Sequence, residues 1–263
     1  MHEKIETRRV LESPWFYFLL VILLSLPFYV LGSTGSRLPF ATLLPLSALL
    51  ACVPILAALI LVVWRSGINA IFVSVKRELD VAKVGGAVWY IIALVFMPLV
   101  CVLEFGALRL TGHFVPLPQI NLGEALFLFV LFFIGAIGEE AGWQGYAYPA
   151  LRKYLSVLSA AVVMGAFWAA WHIIPFLQLG RSADWIFWHS LNAVAMRIIM
   201  VWLFEKTGGS VLNAVLFHTM INVSWAVFPI CGSFYDPFVT FAILMLCVGV
   251  LLAFWRPRAG NAP

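Results

Sequence analysis

Charge is scarce in this sequence. Asp, Glu, Lys and Arg make up 11% of its 263 residues, against about 25% in soluble domains. With 63% hydrophobic residues and a mean hydropathy of +1.02, there is too little polar surface to clothe a water-soluble fold. Polar blocks are missing as well. Apolar runs recur from residue 14 to residue 255 with no polar stretch long enough to fold separately, so a single integral membrane domain over 1–263 is expected. Cysteine is sparse: Cys52, Cys101 and Cys247 fall inside apolar runs and Cys231 in a loop, which excludes a disulfide framework or a CxxC metal signature. The basic excess of +4 is spread over short loops rather than gathered on one face. That spread argues against nucleic acid as a partner and for a role in setting membrane topology.

Strict alternation of polar and apolar residues, the mark of a lipid-embedded barrel, is also absent. A backbone in lipid must satisfy its own hydrogen bonds, so runs of about 20 apolar residues without alternation select helices. The expected fold is an all-α, polytopic transmembrane bundle of about eight spans, near 14–32, 42–64, 86–108, 123–149, 157–179, 184–205, 210–229 and 236–255. Pro27, Pro45, Pro54 and Pro98 lie inside these runs, where neighbouring helices can satisfy the carbonyls they free. Lys4, Arg8 and Arg9 precede the run from Trp15 as in a signal peptide, but the run is long and lacks a small-x-small cleavage site, so a retained first span is expected.

Counting cations in alternate loops orients the spans. Lys4, Arg8, Arg9, Arg65, Lys76, Arg77, Lys83, Arg152, Lys153, Lys206, Arg256 and Arg258 fall on one side, and Arg37, Arg109 and Arg181 on the other. The excess places both termini in the cytoplasm. Residues 65–85 then form a cytoplasmic interfacial segment. The remaining cation, Arg197, lies within the sixth span.

Ionisable side chains at bilayer depth are costly and mark cavities or bundle interiors. The fourth span carries the adjacent pair Glu139 and Glu140, with Asn121 and Glu124 placed as an N-cap and its N3 partner. Adjacent helical residues diverge by about 100°, so the two acids cannot share one task. Glu139 lies on a stripe formed by Gly135, Gly138, Gly142 and Gly145, a pattern that ordinary helix packing also produces. Glu140 shares a face with Gln144, an i,i+4 pair able to hydrogen-bond. The fifth span holds His172 one turn after Trp168, and the seventh holds His218 and Asn222 on one face. Taken alone, each imidazole has a plain packing role open to it. Together, two acids, two imidazoles and an amide on three spans supply the base, the oxyanion donors and the acid that peptide hydrolysis requires.

These residues fall in three ordered motifs: Glu139-Glu140-Ala141-Gly142-Trp143-Gln144, Trp168 to His172, and His218 to Asn222. In them the chain resembles the CAAX-processing and bacteriocin-processing intramembrane peptidases, over a motif-bearing core at about 120–230. The resemblance implies an endopeptidase in a prokaryotic inner membrane, acting on a membrane-associated, prenylated CAAX-type or leader-peptide substrate, with the bilayer as its other partner. It implies Glu139 as the base that activates water, Glu140 in support, His172 and Asn222 at the oxyanion, and His218 positioning water or the leaving group. Where that family has Arg, this chain has Gln144; Arg197 is the cation available to replace it. No cofactor is favoured. The alternatives are a zinc peptidase using His172, His218 and Glu139, and a transporter or a scaffold conferring self-immunity, which also need buried polar groups.

Overall fold

In a computed structural model, residues 13–35, 37–38, 41–70 and 84–255 are described. The expected cytoplasmic cations Lys4, Arg8, Arg9, Lys76, Arg77, Lys83, Arg256 and Arg258 lie outside them, as does most of the 65–85 segment. Helix α1 (Pro14–Ser33) is followed by a short antiparallel pair, β1 (Arg37–Leu38) and β2 (Ala41–Pro45). A 3-10 segment (Leu46–Cys52) then leads into α2 (Val53–Ser66). Next come α3 (Ala87–Leu110), α4 (Leu122–Gly142), a π turn (Trp143–Ala147), α5 (Tyr148–Leu151), α6 (Val157–Gln178), α7 (Ala183–Lys206), α8 (Val211–Val227) and α9 (Pro237–Phe254).

Side-chain caps define several of these starts. Asn121, Ser156, Ser182, Ser210 and Asp236 each accept a backbone N–H from the first turn of the helix that follows. Asn121 accepts from Glu124 N–H at 3.2 Å, the cap that the sequence pattern predicts.

Among the described residues, seven helices are long and apolar enough to cross a bilayer, with the 30-residue Leu122–Leu151 counted as one. The chain is thus an all-α integral membrane bundle. Two expectations need correction. The second span begins at Ser47 rather than residue 42, because 41–45 is extended and ends at Pro45, a residue that biases its predecessor away from the helix. The seventh expected span, 210–229, contracts to the 17-residue α8, the shortest of the eight yet within the range that crosses a bilayer. It need not be longer, since it is the enclosed element: α8 packs on α3, α4 and α7, and Ala214, Phe217, His218, Thr219 and Ile221 are all buried.

The outer helices show the opposite pattern. Leu23 and Val30 on α1, Phe127 and Ile134 on α4, and Leu246 and Val250 on α9 are exposed, as a lipid-facing surface requires. The glycine stripe of α4 packs on the start of the second span: a methyl group on Gly138 or Gly142 would run into the carbonyls of Ala51 or Pro54. Helix α1 is fastened by hydrogen bonds that leave few polar groups unpaired. Tyr17 donates to the Pro54 carbonyl (3.1 Å), Trp171 Nε1 to Ser25 Oγ (2.7 Å), and Tyr29 to the Trp171 carbonyl (2.7 Å).

Candidate active site

Helices α4, α6, α7 and α8 bring the motif residues together. Just past the middle of the long fourth span, Glu139 and Glu140 leave the helix on different faces. Glu139 Oε2 accepts from two indoles, Trp168 Nε1 at 2.8 Å and Trp143 Nε1 at 3.3 Å. Glu140 is fully buried, with both carboxylate oxygens engaged: Oε2 takes the Arg197 guanidinium at 2.6 Å and Oε1 meets His218 Nδ1 at 2.8 Å. The Trp168 ring lies under that guanidinium, with Cζ 4.5 Å from the ring centre, an arrangement that favours a desolvated cation. Helix α7 comes close enough to supply Arg197 because Gly165 faces it: a Cβ there would sit 3.0 Å from Arg197 Cβ and Val194 Cα.

A cavity of about 150 Å³ opens beside this arrangement, lined by Glu139, Trp168, His172, His218 and Asn222 among others. Glu140 and Arg197 are not on its wall. The two acids therefore have separate surroundings, one a cavity and the other a closed ion pair. His172 Nδ1 lies 2.9 Å from the Trp168 carbonyl. A carbonyl can only accept, so Nδ1 carries the proton, and Nε2 of the neutral ring is a lone pair. His218 follows the same logic against the Glu140 carboxylate.

The expected Glu140–Gln144 pair is not formed. Gln144 is fully buried, and neither its Oε1 nor its Nε2 has a hydrogen-bond partner among the described residues. Two causes are visible. Both carboxylate oxygens are already engaged, by Arg197 and His218, and Gln144 stands in the π turn, where Tyr148 N–H bonds back to the Trp143 carbonyl and the i,i+4 register is lost. The cation beside the acid pair is instead Arg197, from another helix.

Sequence reasoning passed over three polar contributors. Glu104, buried inside α3, accepts Asp236 N–H at 2.6 Å; it is an acid in an apolar run, the same signal that singled out Glu139. Tyr235, in the loop before α9, reaches back to His189 and Asn192 (3.0 and 2.9 Å) on α7. Trp143 reads as a bulky apolar residue, and the signal that could have found it is its i,i+4 spacing from Glu139, which brings the indole N–H to 3.3 Å from the carboxylate.

A catalytic zinc would need three donors within about 2.0–2.2 Å of one point. Among the described residues no three His, Cys, Asp or Glu side chains are grouped so as to hold a metal ion.

Fold and site together define a class, an all-α membrane protein whose polar groups gather around a cavity enclosed by its spans. The particular kinship comes from sequence comparison. Residues 121–224, which carry every motif residue, match the family described as Type II CAAX prenyl endopeptidase Rce1-like. CAAX prenyl protease 2 of Methanococcus maripaludis is 34% identical over 103 residues, which are 36% of this chain and 38% of that protein. The chain thus spans well under half the length of the curated relative it matches. Over the matched segment, the resemblance to the CAAX-processing and bacteriocin-processing intramembrane peptidases is borne out.

Proposed function

We propose that this chain is an intramembrane endopeptidase that hydrolyses a peptide bond of a prenylated, CAAX-type substrate with water activated by Glu139. The observation that carries this reading is the separation of the two acids. Glu140 lies behind the cavity wall, its charge met by Arg197 and its other oxygen bonded by His218, while Glu139 faces the cavity with only indole N–H groups on its carboxylate. A base must meet its water, and Glu139 is the acid that can.

In this mechanism Glu139 takes a proton from water as the oxygen attacks the peptide carbonyl, and returns it to the leaving amine. The Asn222 side-chain N–H groups donate to the oxyanion. His172 joins them only as an imidazolium, because its neutral form offers a lone pair at Nε2. His218, anchored by Glu140, uses its own Nε2 lone pair to orient the water. Trp143 and Trp168 hold Glu139 in one rotamer, and Arg197 keeps Glu140 charged so that His218 stays fixed.

The mechanism is metal-free, and its substrate and the bilayer are its partners. The protein resides in a prokaryotic cell membrane with both termini cytoplasmic; reporter fusions after Gly35, Val115, Arg181 and Ser233 then all read exterior. The deciding experiment uses purified protein in lipid with a farnesylated CAAX peptide. Wild type cleaves it and keeps its activity in a strong chelator, whereas Glu139→Gln loses about 10²–10⁴-fold in rate while remaining folded. Full cleavage by Glu139→Gln removes this acid from the mechanism. Chelator inactivation reversed by zinc alone replaces the metal-free reading.

A further inference from the structure

The cavity does not end at the motif residues. It continues past Asn222 to His189, Ser190, Trp225 and Tyr235, and His189 belongs to none of the three motifs. This imidazole is held among aromatic rings. Trp185 stacks on its face with centroids 4.5 Å apart, and Phe176 meets it edge-on at 4.8 Å. Arg181 lies over the Trp185 ring, its Cζ 4.7 Å from the centroid, backing that stack.

The hydrogen bonds favour one of the two ring tautomers. Asn192 Nδ2 can only donate, and it donates to the Tyr235 hydroxyl at 2.9 Å as well as to the Pro237 carbonyl. With Asn192 donating to its oxygen, the Tyr235 hydroxyl keeps its own proton to give, and His189 Nδ1 at 3.0 Å is a ring nitrogen able to accept it. With Nδ1 accepting, the neutral ring of His189 bears its proton on Nε2. His172 is the reverse, with Nδ1–H turned to the Trp168 carbonyl and a lone pair at Nε2. Of the three imidazoles on the cavity wall, His189 in this tautomer presents a donor where His172 and His218 present lone pairs.

Resting on the peptidase reading, we propose that His189 is a substrate-binding residue, its Nε2–H donating to a backbone carbonyl of the bound peptide, and that Tyr235 is a positioning residue that holds it in that tautomer. The chemistry suits the location. A peptide drawn into a membrane cavity brings carbonyls that lose their water and need donors. A neutral donor serves them without the desolvation cost of a second cation near Arg197.

The test measures binding and turnover separately, with a farnesylated CAAX peptide. In the Glu139→Gln background, which binds without cleaving, His189→Ala weakens binding about tenfold, in line with one net hydrogen bond to an uncharged group. His189→Gln, whose amide keeps an N–H, restores most of that affinity. Tyr235→Phe, which releases the tautomer, weakens it by a smaller factor. With Glu139 present, His189→Ala raises KM and leaves kcat near its wild-type value. Unchanged affinity in His189→Ala, or equal losses in the Gln and Ala variants, overturns the proposal. A fall in kcat at constant KM does so too. Cleavage by Glu139→Gln, or absence of any peptide binding to it, overturns the peptidase reading instead.

Discussion

Two regions only one residue apart on α4 follow opposite rules. Around Glu140 every surrounding group closes in: Arg197 and His218 occupy both oxygens, water is shut out, and charge is balanced inside the bundle. Around Glu139 the protein holds back, bonding the carboxylate with neutral indole N–H groups and leaving a cavity in front of it. A helix turning about 100° per residue is enough to separate a carboxylate closed in an ion pair from one that faces a cavity. The contrast shows that adjacency in a motif does not mean equivalence of surroundings. It also changes what removal of each acid does, since only one of them is the partner of a buried cation.

The largest expected stability effect lies on the closed side. Arg197→Leu strips the counter-charge from a fully buried carboxylate and is expected to cost about 3–5 kcal/mol, read as a fall in thermal stability in detergent. Removing the acid as well, in Arg197→Leu with Glu140→Leu, recovers most of that loss. Additive losses in this double-mutant cycle would break the comparison, because they would mean that the two charges do not stabilise one another. Glu139→Gln is the control, expected to leave stability unchanged while activity falls.

A middle-sized effect probes what aims both acids, the seat of α4 on the second span. Gly142→Ala places a methyl group against the Pro54 carbonyl and the Tyr17 hydroxyl and is expected to destabilise by about 1–3 kcal/mol. Activity should fall with stability, since the helix cannot be displaced without moving the carboxylates. An Ala variant with wild-type melting behaviour would show that the close approach is not needed.

The smallest effect sharpens the open side. Trp168→Phe keeps an aromatic ring near Arg197 but deletes the 2.8 Å hydrogen bond to Glu139, leaving the longer one from Trp143 in place. Loss of the bond leaves the carboxylate free to rotate, and the expected outcome is a lower kcat with nearly unchanged KM. If kcat is untouched, Trp143 alone suffices to hold the base.

The membrane character and the layout of the spans were legible from composition and run length because lipid imposes one rule on every residue of a span. The cap at Asn121 was legible for a local reason, as its partner Glu124 N–H is within one turn. The shortened α8 was not, because window averaging cannot distinguish a helix that must cross lipid from one wrapped by protein. Gln144 failed for a related reason: an i,i+4 pairing presumes an unbroken α-helix, and the π turn at Trp143–Ala147 breaks the register at that point.

By itself, the sequence determined which chemistries were present and at what depth, since an ionisable group in an apolar run carries its cost wherever the chain places it. Pairing was another matter. Which cation neutralises Glu140, which indoles hold Glu139 and which nitrogen of each histidine bears a proton depend on contacts between residues from 4 to 78 positions apart. Most of those contacts exist only once α4, α6, α7 and α8 have packed. Spacing along one helix fixes the direction in which a side chain leaves it, whereas the partner waiting there is supplied by another helix, and only the tertiary structure decides which one.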